Sequence, residues 1–194
     1  YEGGIRVPMI ARWANGLPQN VEITDQICFT DWLPTLLSMT GASHVGEKPI
    51  DGHDVSAVLK GASPDEQPRR FWQWNIDTPI RTTNAAMRHG DWKLVRPALD
   101  IAFASEADKK LAADYVEMDI EYKYHPENFT EVFDWPDPKK IVPEPAAPEL
   151  YDLSVDVGET NNVAAENPEL ANQMLTELET WFEDVESERQ AIVE

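Results

Sequence analysis

The clearest hydrophobic pattern lies near the C-terminus. Leu170, Met174, Leu175, Leu178, Trp181, Phe182 and Val185 follow one another at intervals of 4, 1, 3, 3, 1 and 3, which lays them along one face of a helix. Asn167 suits the N-cap, Pro168 the first helical position, and Glu169 complements the positive end of the helix dipole. The spacing predicts a terminal helix over 168–188. A second helical pattern runs from Thr24 to Met39, with Ile27, Phe29, Trp32, Leu33, Leu36, Leu37 and Met39 apolar. It predicts a helix with one broad buried face, Asp31 as an internal cap, Pro34 in a first turn and Gly41 as the stop.

Short apolar runs bounded by turn residues predict strands. Ile5 to Trp13 reads as one, interrupted by Pro8, which removes a ladder donor and so favours an edge or a bulge. Phe71–Trp74, Asn84–Arg88, Trp92–Arg96 and Glu149–Leu153 read as four more, the second and third joined into a hairpin by His89-Gly90-Asp91. Asp51-Gly52-His53-Asp54 is turn chemistry leading into a short helix, Val55 to Lys60, closed by Gly61. Residues 62–70 are polar with two prolines and read as a linker. The stretch 97–148 is the least regular. A helix over Ala104–Val116 is its one periodic segment, and six prolines between His125 and Pro148 predict an extended surface loop.

Charge sharpens this picture. The net charge is −20 and is unevenly spread, with 14 acidic residues against one basic residue in 144–194. Such a surface repels nucleic-acid phosphates and anionic membranes. Seven tryptophans and an apolar fraction of 42% are enough for a packed core. No run approaches the roughly 18 apolar residues of a membrane span, and the opening residues lack the basic and apolar regions of a signal peptide. The lone Cys28, between Ile27 and Phe29, reads as a small buried hydrophobe.

Candidate chemistry is sparse. The chain has no Gly-x-Ser-x-Gly elbow, His-Glu-x-x-His zinc motif or Gly-rich phosphate loop. His44, His53, His89 and His125 share no metal-ligand spacing. Asp51 and Asp54 are explained by turns and caps, and Asp152, Asp156 and Glu159 lack the ordering of a calcium loop. Trp72, Trp74 and Trp92 read as core aromatics or, alternatively, as a sugar platform.

Five segments nevertheless resemble one family in order. Tyr1-Glu2-Gly3-Gly4-Ile5-Arg6-Val7-Pro8 is similar to the Glu-Gly-Gly-hydrophobic-Arg-Val-Pro segment of the sulfatases, the formylglycine-dependent sulfate-ester hydrolases. Asp31-Trp32-Leu33-Pro34-Thr35-Leu36-Leu37 resembles their Asp-x-x-Pro-Thr-Leu-Leu helix, and Asp51-Gly52 with Leu59 their Asp-Gly-x-x-Leu segment. Met87-Arg88-His89-Gly90-Asp91-Trp92-Lys93-Leu94 resembles their Ile-Arg-x-Gly-Asp-Trp-Lys-Leu hairpin. Glu149-Leu150-Tyr151-Asp152-Leu153 through Asn162-Val163-Ala164 resembles a Glu-Leu-Tyr-Asp-Leu signature, with Val157 in place of its usual proline.

The resemblance implies an α/β fold, α+β in its C-terminal unit. Residues 1–61 would end an alkaline-phosphatase-like α/β catalytic domain and 62–70 would be the linker. Residues 71–194 would form a small antiparallel four-stranded sheet packed by the 168–188 helix, with the long loop 97–148. The parent would be an exported, periplasmic or extracellular enzyme acting on aryl or carbohydrate sulfates through a formylglycine and a divalent cation, usually calcium. Its nucleophile motif, Cys/Ser-x-Pro-x-Arg, does not occur here, so the resemblance implies no catalytic or metal residue in this chain, and an isolated chain that is inactive. It implies as partners the rest of the catalytic domain and a sulfated small molecule or glycan, without nucleic acid. Arg96, Tyr122, Lys123, Tyr124 and His125 are candidates for a substrate rim. Glu2, Gly3, Gly4 and Arg6 form the structural motif, Arg6 being expected to pair with a buried carboxylate or carbonyls. A phosphate or phosphonate monoester hydrolase of the same superfamily, or a non-catalytic carbohydrate-binding module, are the alternatives.

Overall fold

The computed structural model describes residues 1–194 apart from 47, 65, 66, 76, 77, 132–134, 193 and 194. Two positions of the expected linker and three of the expected long loop therefore lie outside the described residues. By its internal contacts the chain divides into a first unit, residues 1–70, 88–93 and 152–161, and a second, residues 71–87, 94–151 and 162–194.

The first unit holds three short helices, α1 (Glu2–Ile5), α2 (Trp32–Thr40) and α3 (Ser56–Leu59). The strand expected over Ile5–Trp13 is not formed. Residues 2–5 make one helical turn, and 6–13 carry no regular structure, since an extended segment becomes a strand only where a neighbour accepts its ladder. The helix expected from Thr24 starts later. A 3₁₀ turn, Phe29–Asp31, leads into α2, because Asp31 folds back to accept the Cys28 amide at 2.8 Å and caps the chain there. Gly41, at φ 71°, ends α2 in the left-handed conformation, with the Ala42 amide donating to the Leu37 carbonyl.

The broad apolar face predicted for α2 is only partly covered, with Trp32, Leu37 and Met39 half-buried. Thr35 is fully buried, whereas Leu33 and Leu36 are 50% and 52% exposed and Phe29 is 78% exposed. Thr35 is held inside by its hydroxyl, which accepts the buried Val55 amide at 3.0 Å. That bond ties α2 to the start of α3, whose Val58 and Leu59 are buried.

The strands of the main sheet are β1 (Arg70–Gln73), β2 (Ala85–His89), β3 (Trp92–Arg96) and, late in the chain, β6 (Glu149–Asp152), an antiparallel sheet in the order β1-β2-β3-β6. The second unit contains most of it. Ala85, Ala86 and Met87 on β2 and Leu94 and Val95 on β3 are buried in succession. Side chains alternate between faces along a strand, so consecutive burial means that both faces are covered there.

The last helix, α5 (Pro168–Ile192), covers this sheet. Its Ala171, Met174 and Leu178 are buried, and Trp181 stacks on Phe71 of β1 at 5.2 Å with 7° between the rings. The predicted helix 168–188 is thus present and runs further.

The excursion expected as a loop is more regular than its prolines suggested. It contains β4 (Ala102–Phe103), α4 (Glu106–Tyr124) and β5 (Lys140–Ile141), with β4 and β5 paired antiparallel. The helix expected over 104–116 extends to Tyr124 although it buries no residue. Its stability comes from its ends and its charges. Ser105 accepts the Asp108 amide at 3.1 Å, Glu106 and Asp108 sit in the first turn, Lys123 in the last, and Lys110 pairs with Asp114 one turn on. No described helix is long and apolar enough to cross a membrane.

Candidate functional site

Lys93 is a fully buried charge of the first unit. It follows Trp92 on β3, and its ammonium has no solvent exposure. Burying a cation this way is costly unless anions meet it. Two do: Glu2 Oε1 at 2.9 Å and Glu159 Oε1 at 2.8 Å. Glu159 Oε1 lies off the angle of a hydrogen bond, so that contact is an ion pair. Its other oxygen accepts the Glu2 amide at 2.5 Å, and Arg88 stands 3.5 Å from Glu2 Oε2. Two cations therefore balance two carboxylates. Glu159 takes a φ of 54°, a left-handed conformation that costs a non-glycine residue on the order of 1 kcal/mol, and the ion pair holds it there.

This geometry redistributes the roles expected for the opening motif. Glu2 is its buried member, whereas Arg6 is exposed. The basic partners of the buried carboxylate are Lys93 and Arg88. Gly3 and Gly4 adopt the helical turn without a positive φ, and a Cβ on either would meet nothing within 4 Å.

A second buried centre forms around Asp31, which is fully buried. Its carboxylate accepts the Cys28 amide, the His53 amide at 2.9 Å and Arg70 Nη2 at 2.7 Å. The Arg70 guanidinium also lies 3.0 Å from His53 Nδ1. Gly52 is required at this point: a Cβ there would stand 1.9 Å from the Thr30 carbonyl oxygen. Burial is the main influence on the nearby half-buried Cys28 thiol and pushes its pKa up, against the opposing charge of Arg70, so the group is a poor nucleophile.

Asp54 and Asp156 serve local turns. Asp54 accepts the Ser56 amide at 2.8 Å. Asp156 accepts the Asn161 and Thr160 amides, which hold its carboxyl below the usual range. Among the described residues no group of three or more His, Cys, Asp or Glu side chains converges to hold a metal ion.

Of the rim candidates, Tyr122, Lys123 and Tyr124 form the last turn of α4 and His125 its C-cap. All four are exposed. Tyr122 meets Phe129 edge to face at 5.4 Å, Lys123 Nζ lies 5.6 Å from the Tyr124 ring centre, and His125 Nδ1 is 3.4 Å from Glu127. Arg96 does not share that surface. It is buried, pairs with Glu179 of α5 and donates to the Arg81 carbonyl at 3.1 Å. The sequence marks Asp31 only as a helix cap and Glu159 only as part of a rejected calcium loop, and it gives Arg70 and Lys93 no role of their own. A charged residue inside an apolar strand, as Lys93 is, was the one available signal.

No family model matches the chain. A protein of Formosa agariphila named Sulfatase is 27% identical over 192 residues, which cover 94% of this chain and 28% of that protein. Arylsulfatase G of Mus musculus is 43% identical over 63 residues, 32% of this chain and 12% of its own length. Steryl-sulfatase of the same species is 34% identical over 61 residues, 31% and 10% of the two chains. A solved structure from work on glycosaminoglycan metabolism by Bacteroides thetaiotaomicron covers 77% of this chain and 24% of its own, at 20% identity and a TM-score of 0.43, too loose a likeness to inform on fold or activity. The chain thus spans little more than a quarter of the Formosa sulfatase, and nearly all of it takes part in that match. The relatives that this chain matches are named as sulfatases, and these matches support the sulfatase family for it.

Proposed function

We propose that this chain is the C-terminal portion of an enzyme that hydrolyses aryl or carbohydrate sulfate esters, and that it supplies scaffold and part of the substrate rim. The observation that carries this reading is the match of 94% of the chain to 28% of a sulfatase. The outward apolar residues of α2 and of the turn before it support the remainder of the catalytic domain as partner, because Leu33, Leu36 and Phe29 are what a larger core would cover.

The formylglycine and divalent cation expected of the parent do not fit the residues present. The chain lacks a Cys/Ser-x-Pro-x-Arg motif, and among the described residues no three or more His, Cys, Asp or Glu side chains converge to hold a metal ion. Chemistry is therefore assigned to parts of the protein outside this chain, and the sulfated substrate would meet Tyr122, Lys123, Tyr124 and His125 at most. Arg96 is a buried brace between β3 and α5 and drops out of that rim.

The test is sulfate release from para-nitrophenyl sulfate by the isolated chain and by the complete protein. The expected result is turnover by the complete protein and none by the chain. Turnover by the pure chain would overturn the assignment of the chemistry elsewhere.

A further inference from the structure

The excursion between β3 and β6 closes on itself. β4 and β5 pair at its base, Ala102 with Ile141 and Phe103 with Lys140, and the Ala104 amide donates to the Lys139 carbonyl at 2.9 Å. From there α4 runs beside the chain that returns from its end. Asp108 accepts the Lys139 amide at 2.8 Å, 31 positions on. Two turns further the Tyr115 hydroxyl donates to the Trp135 carbonyl at 2.6 Å, 20 positions on, and the two rings meet at 5.3 Å. At the far end Asn128 donates to Glu121 at 2.7 Å, 7 positions apart, and Tyr122 meets Phe129. The separation shrinks step by step, so α4 and its return form one antiparallel arm.

Little burial backs these contacts. Asp108, Leu111, Tyr115, Met118 and Tyr122 recur at intervals of 3, 4, 3 and 4 and so share the face of α4 that meets the return segment. None of them is buried, and Val116 and Ile120 on another face are 45% and 51% exposed. The four-stranded sheet differs, with Met87 and Leu94 fully buried. Helical stability comes mostly from packing of one face, and regions with few buried apolar contacts open at a lower free energy than the core, in contiguous units. Asp137 of the return segment bonds Thr78, outside the arm. That contact keeps the return segment with the body, and α4 is the half that leaves.

We infer that α4 is a lid: it releases from its return segment as one cooperative unit while the sheet stays folded, with Asp108 as the latch at its base. Tyr122, Lys123 and Tyr124 form its last turn, so opening displaces the candidate rim as a block. Only that consequence rests on the substrate-rim reading.

The experiment is hydrogen exchange of the complete protein, followed by mass spectrometry of peptides from α4, β2 and β3. The readout involves no substrate, so it stands or falls apart from the sulfatase reading. The expected result is protection along the whole of α4 that is lost at one common rate, at least about tenfold faster than in β2 and β3. Asp108→Ala should accelerate exchange about fivefold, the scale of one lost hydrogen bond, from the first turn through Tyr122–Tyr124, with β2 and β3 unchanged. Tyr115→Phe keeps the ring contact and removes only the bond to the Trp135 carbonyl. It should give the same pattern and serves where the alanine variant folds poorly. Exchange of α4 at the rate of β2 and β3, absence of protection in α4, or acceleration confined to the turn around each substitution would overturn the proposal.

Discussion

Lys93 Nζ lies 2.9 Å from Glu2 Oε1, across 91 residues of sequence, and this contact anchors the opening Glu-Gly-Gly turn to the β2–β3 hairpin. Removing one partner of a buried ion pair leaves the other charge uncompensated. Lys93→Met should therefore destabilise the protein by about 3–5 kcal/mol, measured by denaturant unfolding. Glu159→Gln should cost less, since the Glu2 carboxylate remains to balance Lys93.

The glycines should separate by packing rather than by motif. At Gly52 a Cβ would collide with the Thr30 backbone, so Gly52→Ala should cost about 3 kcal/mol or more. At Gly3 a Cβ meets nothing, and Gly3→Ala should stay within about 1 kcal/mol of the wild type, with helix propensity in its favour. Scanning calorimetry of the two variants checks the contrast.

These cases show what the sequence disclosed. The hairpin around Gly90 and helix α5 were legible because their apolar periods point into a core that this chain itself contains. The stripe on α2 was equally visible, yet Leu33 and Leu36 face outward and Thr35, held by the Val55 amide, takes the inner position. The length of α4 was hidden because a cap and charge pairs, not an apolar face, sustain it. Arg96 reads as a surface residue at the end of a strand until Glu179, 83 positions later, takes it inside. Pairings of that separation leave no local pattern.

The exposed face of α2 gives a third test. In the isolated chain Leu36→Ser should leave the melting temperature nearly unchanged. In the complete protein it should cost roughly 2–3 kcal/mol, the scale of a core truncation. Thr35→Val removes the acceptor of the buried Val55 amide and should cost about 1–3 kcal/mol in both. Unfolding curves of the two variants in both contexts distinguish a covered face from a solvated one.

Acid should act partly through Glu186. Hydrogen bonds from Arg189, then Gln190, lower its pKa from 4.5 to about 2. A carboxylate depressed in the folded state stabilises the fold above its unfolded value and loses that contribution as pH falls through the folded one. Glu186→Gln should therefore narrow the drop in melting temperature between pH 4.5 and about 2 while changing little near neutrality. The Arg189 side chain is 45% exposed, so the effect should be small and shrink in high salt. Thermal melts across that range, with and without the substitution, measure it.

The central claim, membership of a sulfate-ester hydrolase, is tested most directly by assaying the complete protein against para-nitrophenyl sulfate and para-nitrophenyl phosphate side by side. The account predicts a higher kcat/KM for the sulfate ester. Preference for the phosphate ester, or turnover of neither it nor any sulfated sugar, would contradict it.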